Sequence, residues 1–212
     1  MPTITLPLPR GPASLTPSET KHKAPFSPLQ VTDPSNHLRP FRPNGPRYEK
    51  QFISTPPACE TCPLRLKTKV YPDGPVPAKI AFVGEAPGKH EVRKGRPFVG
   101  ASGHVMWKIF GDVLGLRRED VWVTNALLCR PSKITLQNGV VIPEEQVKQL
   151  AMNACRMRLI DELRVVDPVV TIPLGKWSLR ALTFLPNAGI YAYRGSRMEI
   201  DYAAMSDYIH GR

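Results

Sequence analysis

The four cysteines of this 212-residue chain are its most chemically committed side chains. Cys59 and Cys62 stand three positions apart, and Cys129 and Cys155 follow far along the chain. Two thiols on one short loop make half of a tetrahedral cage, and two from distant segments complete it. Disulfides are one use of such thiols, but they belong to oxidising compartments. The opening run, Met-Pro-Thr-Ile-Thr-Leu-Pro-Leu-Pro-Arg, is broken by prolines and lacks the continuous apolar core of a secretory signal. Zinc and an iron–sulfur cluster both accept four thiolates. A zinc ribbon repeats the close pair, whereas the second pair here is 26 positions apart (155 − 129). The spacing favours iron–sulfur and leaves zinc as the alternative.

A second group of residues suits the handling of a planar ligand. Gly84-Glu85-Ala86-Pro87-Gly88 has glycines at both ends, which permit a close backbone approach, and it presents the carboxylate of Glu85. Gly95-Arg-Pro-Phe98-Val-Gly100 is a second glycine-flanked loop displaying one ring, a shape suited to stacking on a base. Asn125 offers one acceptor and two donors, enough to read a base edge. Each of these has a plainer structural use as turn, core plug or strand cap; it is their combination that points to a nucleobase.

The elements needed to position these groups are legible. Lys79–Gly84 is a short apolar run ending at glycine, as in a buried parallel strand. Gly103–Leu114 has helical apolar spacing, Val121–Leu128 reads as a second strand, and Pro143 with two glutamates opens a helix that runs to about Leu163. Val169–Gly175 is the third strand and Lys176–Leu185 a further helix. Strand–helix alternation predicts an α/β layer fold with a mostly parallel sheet, whose ligands bind at the carboxyl ends of the strands. Residues 1–50 carry 11 of the 24 prolines and no apolar periodicity, so they are expected to be a disordered tail preceding a domain over 51–212.

Charge narrows the partners. With 29 basic and 18 acidic residues the chain has a formal net charge of +11, which favours a polyanion such as nucleic acid. No apolar run is long enough to cross a bilayer, so a cytoplasmic, monomeric protein is expected.

The motifs together resemble the family 4, iron–sulfur uracil-DNA glycosylases. Gly84–Gly88, Gly95–Gly100, Thr124-Asn125 leading into Cys129-Arg-Pro131, and the four cysteines occur in that family's order from Cys59 through Gly195. The resemblance implies a three-layer α/β/α sandwich with a small central sheet, and a [4Fe–4S] cluster on Cys59, Cys62, Cys129 and Cys155. It implies a pocket of Gly84, Glu85 and Ala86, with Phe98 as the stacking ring and Asn125 as reader of the uracil edge. Glu85 would be catalytic, positioning water or stabilising the cation-like sugar, and the expected reaction on single- or double-stranded DNA releases uracil and leaves an abasic site. The alternative is a catalytically silent, cluster-bearing DNA-binding module. The chain departs from the family at His90-Glu91-Val92, where Glu-Asp is usual, and at Ser132-Lys133-Ile134, which follows Cys-Arg-Pro in place of Asn-Arg. An insertion of roughly ten residues containing Asn138-Gly139 is expected to form a surface hairpin. No His-Pro pair occurs in the chain. His210 stands about where the family's histidine would fall and is the second catalytic candidate.

Overall fold

The structure, a computed structural model, describes residues 58–210, with side chains through Asp207; the proline-rich segment 1–50 lies outside the described residues. The elements in chain order are β1 (Ile80–Gly84), α1 (Lys89–Lys94), α2 (Ala101–Leu114), β2 (Trp122–Asn125), β3 (Ile134–Thr135), β4 (Val141–Ile142), α3 (Glu144–Val166), β5 (Val170–Pro173), α4 (Lys176–Thr183), α5 (Ile190–Tyr193) and α6 (Tyr202–His210). Strands β2, β1 and β5 form a parallel sheet in that order, with β1 in the middle.

The sheet divides two apolar layers because successive side chains of a strand face opposite ways. Ala81 and Val83 of β1 and Trp122 of β2 join the larger core with α3 and α4. Phe82 and Val123 point the other way and pack with Met106 of α2. Helix α6 lies against α3. The expected three-layer sandwich is therefore present, and β1, buried on both faces, is apolar throughout for that reason.

Boundaries moved where local chemistry overrode pattern. Helix α2 begins two residues earlier than its apolar spacing suggested, with Gly100 as its cap. Pro143 is the residue capping α3 and not its first helical residue. Strand β2 stops at Asn125, although Ala126, Leu127 and Leu128 stay buried. The Ala126 and Leu127 amides donate to the carbonyls of Gly84 (2.8 Å) and Glu85 (3.0 Å), so the chain leaves the sheet to brace the turn after β1. The insertion is the expected surface hairpin: β3 and β4 pair antiparallel, and Gly139 supplies the positive φ of 80° at its turn.

Candidate base pocket and thiol site

The register of the sheet creates the pocket. Gly84 and Asn125 are paired neighbours at the carboxyl ends of β1 and β2. A side chain on residue 84 would strike the Asn125 carboxamide and lie 2.6 Å from the Phe98 ring. Only glycine at this position lets both groups reach the same space. They open onto a cavity of about 650 Å³ whose walls include Glu85, Ala86, Phe98 and Asn125. All five pocket residues expected from sequence, Gly84 among them, thus come together. His210 closes α6, and its side chain lies outside the described residues.

Phe98 is held in a conformation that non-glycine residues rarely adopt, with φ of 53°. The surrounding bonds determine it from several sides. Its carbonyl accepts from Trp107 Nε1 (3.1 Å) and Arg118 Nη1 (3.2 Å), and the Pro97 carbonyl accepts from Arg118 Nη2. The carboxylate of buried Glu91 accepts from the amides of Val99 (3.1 Å) and Gly100 (2.7 Å), clamping the far side of the loop. Asp73 holds Arg118 (3.1 Å) and Arg96 (2.6 Å) in turn. Burial lowers the Arg118 guanidinium below its ordinary pKa despite the nearby Asp73 carboxylate.

Glu85 is paired. Lys148 of α3 places its ammonium 2.8 Å from Glu85 Oε1 and 3.0 Å from Glu144 Oε1. Burial alone would lower the Lys148 pKa, but hydrogen bonds to Glu85 and Glu144 outweigh it and hold the pKa above its usual value. The ammonium fixes Glu85 in direction without cancelling the local negative charge, because Glu144 and Glu145 share the same cation.

Behind Asn125 lies a buried ionic network. Arg158 is fully buried and donates to Thr124 Oγ1 (3.2 Å), the Asn125 carbonyl (2.8 Å) and the Ala126 carbonyl (3.2 Å). Its Nη1 lies 2.5 Å from Glu162 Oε2, and Glu162 Oε1 accepts from Trp122 Nε1 at 2.8 Å. The guanidinium therefore fixes the strand end that presents Asn125.

The sequence profile of the uracil DNA glycosylase superfamily matches residues 71–205. The chain belongs to the uracil-DNA glycosylase superfamily. Proteins named Type-4 uracil-DNA glycosylase are similar to it. That of Thermotoga maritima is 34% identical over 143 residues, 66% of this chain and 69% of that protein. That of Archaeoglobus fulgidus is 41% identical over 123 residues, and that of Sulfurisphaera tokodaii 35% over 125. The chain spans 56% and 52% of those two proteins, about half their length.

In this superfamily member the four cysteines lie on three segments that the backbone ties together. The Ala58 amide donates to the Ala154 carbonyl (3.0 Å), joining the Cys59–Cys62 turn to α3 beside Cys155. Lys69 bridges to Cys129 as an isolated antiparallel pair. None of the four is in a disulfide, and Cys62, Cys129 and Cys155 are buried. Burial pushes the Cys129 thiol up to about 11, and the neighbouring cysteines add to this while Lys69 opposes it. Burial raises Cys62 too, offset in part by the Leu64 amide, which lies 3.4 Å from its sulfur. As thiolates the four would repel one another in a largely buried site, so together they form a donor set suited to a multiply charged cationic centre. Among the described residues no three His, Cys, Asp or Glu side chains converge tightly enough for one metal ion.

Sequence reasoning missed Lys148, Glu91, Arg118 and Arg158. Each is a charged residue of the kind normally assigned to a solvated face; Glu144–Lys148 and Arg158–Glu162 stand at the i, i+4 spacing of helical ion pairs, but that spacing does not distinguish a buried pair from a surface one. No helix among the described residues is long and apolar enough to cross a membrane.

Proposed function

We propose that this chain is a uracil-DNA glycosylase that hydrolyses the N-glycosidic bond of deoxyuridine in DNA, releasing uracil and leaving an abasic site. The observation that carries the reading is the convergence of Phe98, Asn125 and Glu85 on one cavity at the carboxyl ends of β1 and β2, in a chain of this superfamily. Phe98 stacks on the extruded base, and Asn125 donates to one carbonyl of uracil while accepting from its ring N–H. As the glycosidic bond breaks, the base leaves as an anion and the sugar becomes cation-like. Glu85, aimed by Lys148, supplies negative charge near that sugar and directs the attacking water. The donor set of Cys59, Cys62, Cys129 and Cys155 suits a [4Fe–4S] cluster, in keeping with the Type-4 relatives. Those cysteines would hold the cluster and, through it, join the three chain segments that carry them. His210 is the candidate for support of the departing base.

The test is single-turnover release of uracil from a labelled single-stranded oligonucleotide carrying one deoxyuridine. The parent chain is expected to release it, and Glu85→Ala to slow release with DNA affinity nearly unchanged, since Glu85 acts on the transition state. DNA binding by the parent with no release would replace this reading with the silent module.

A further inference from the structure

A second cavity, about 220 Å³, opens beside the first and is walled by Lys67, Thr68, Lys89, Arg130 and Ser132. It holds three cations and two hydroxyls, and no acidic side chain lines it. Among the described residues Lys67, Lys89 and Arg130 take part in no salt bridge. The contrast with the rest of the site is plain, because Arg118, Lys148 and Arg158 are each matched to a carboxylate.

The cavity is built by pairing of segments and not by one flexible loop. The Lys69–Cys129 bridge and the Val70 amide bonded to the Leu128 carbonyl (2.7 Å) fix Lys67 and Thr68 beside Arg130. Pro131 is buried beneath them, and Lys89 projects from the start of α1. Lys89 also lines the base pocket. An anion held here therefore sits one side chain away from the extruded base.

We propose that this cavity is a phosphodiester seat that grips a backbone phosphate flanking the extruded nucleotide, an inference resting on the glycosylase reading for the identity of its polyanion. A tetrahedral oxyanion matches convergent ammonium, guanidinium and hydroxyl donors, and neutralising a phosphate makes binding salt-dependent. Phosphate contacts fix register without reading sequence, which is what a pocket that reads only one base requires of its surroundings.

The experiment uses the full chain and the pair Lys67→Gln with Arg130→Gln, leaving Lys89 in place because it also lines the base pocket. Both changed residues are exposed, and the pair Lys67→Arg with Arg130→Lys controls for folding by keeping the charge. Anisotropy titration of a single-stranded oligonucleotide across a salt series is expected to show about tenfold weaker binding and a log–log salt slope shallower by about 0.7. Replacing flanking phosphates one at a time with neutral methylphosphonate should weaken the parent at one position and the glutamine pair much less there. Unchanged affinity and slope, or methylphosphonate losses that add equally in parent and variant, would overturn the proposal. So would inorganic phosphate that stabilises the parent but not the variant while their DNA binding stays identical, since that assigns the cavity to a free anion. Uracil release is followed in parallel: a shallower slope without any release leaves the phosphate seat standing and removes the glycosylase reading.

Discussion

Replacing Arg158 by methionine isolates the buried network behind Asn125. The guanidinium has no solvent exposure, and its partner Glu162 is buried with it. Methionine removes the cation and leaves a carboxylate held only by Trp122 Nε1, together with the carbonyls of Asn125 and Ala126 stripped of their donor. Breaking one side of a buried pair costs about 3–5 kcal/mol, because the remaining charge is uncompensated. A domain of this size loses about 2–4 °C per kcal/mol, so the melting midpoint should fall by roughly 6–20 °C. Adding Glu162→Gln removes the orphaned charge and keeps an acceptor for Trp122, and should recover much of the loss. Uracil release should stay low in both variants, because the strand end that carries Asn125 is unheld. Scanning fluorimetry and single-turnover assays on the parent, both singles and the double read the cycle. A midpoint within about 2 °C of the parent for Arg158→Met would refute the reasoning, as would a double variant no more stable than the single.

Four further outcomes are expected. Gly84→Ala should leave the fold intact but abolish release, since the new methyl meets the Asn125 and Phe98 side chains at the cavity and not a rigid backbone; normal turnover would show that the cavity is not the base pocket. Asn125→Asp exchanges the carboxamide donors for an acceptor-only carboxylate, so release should fall while affinity for a thymine-containing strand holds, and equal release would remove Asn125 as the reader. Lys148→Met should slow release and flatten the alkaline limb of stability. A raised lysine pKa contributes stability that is complete below the usual 10.5 and is lost as pH rises through the folded value. Urea midpoints taken on both sides of that value check the sign. Cys129→Ser should lower iron content and soluble yield together, because centre binding is also folding energy; parent protein containing stoichiometric zinc and no iron would exclude the cluster.

How far sequence reached is clear from particular residues. Strand β1 was legible because a strand buried on both faces is apolar without interruption, and the β3–β4 hairpin because Asn138-Gly139 encodes its turn. That Gly84, Phe98 and Asn125 would share one cavity was legible because glycine and asparagine mark strand ends and phenylalanine stands out in a glycine-flanked loop. The end of β2 was not, since Ala126–Leu128 keep a strand's apolarity while their hydrogen bonds go to the Glu85 turn and to Arg158. The apolar spacing of α2 identified the helix but not its role: Val105 and Ile109 are 60% and 53% exposed because they form the open wall of the cavity. Lys148 and Arg158 were illegible for a physical reason. A charge paired inside a fold and a charge in water are written with the same letter.

Helix α3 works as a ruler. From one stretch it sets Lys148 against Glu85, Cys155 among the thiols and Arg158 under Asn125. The ten residues from Lys148 to Arg158 span about 15 Å, and one inserted residue would turn everything beyond it by about 100°. Pocket, thiol site and strand end would then fall out of phase in a single step. An insertion that spares this register therefore has to fall ahead of the ruler. The hairpin from Ile134 to Ile142 ends one residue before its cap, and at its exposed tip, between the half-buried Ile134 and Ile142, added residues displace nothing downstream.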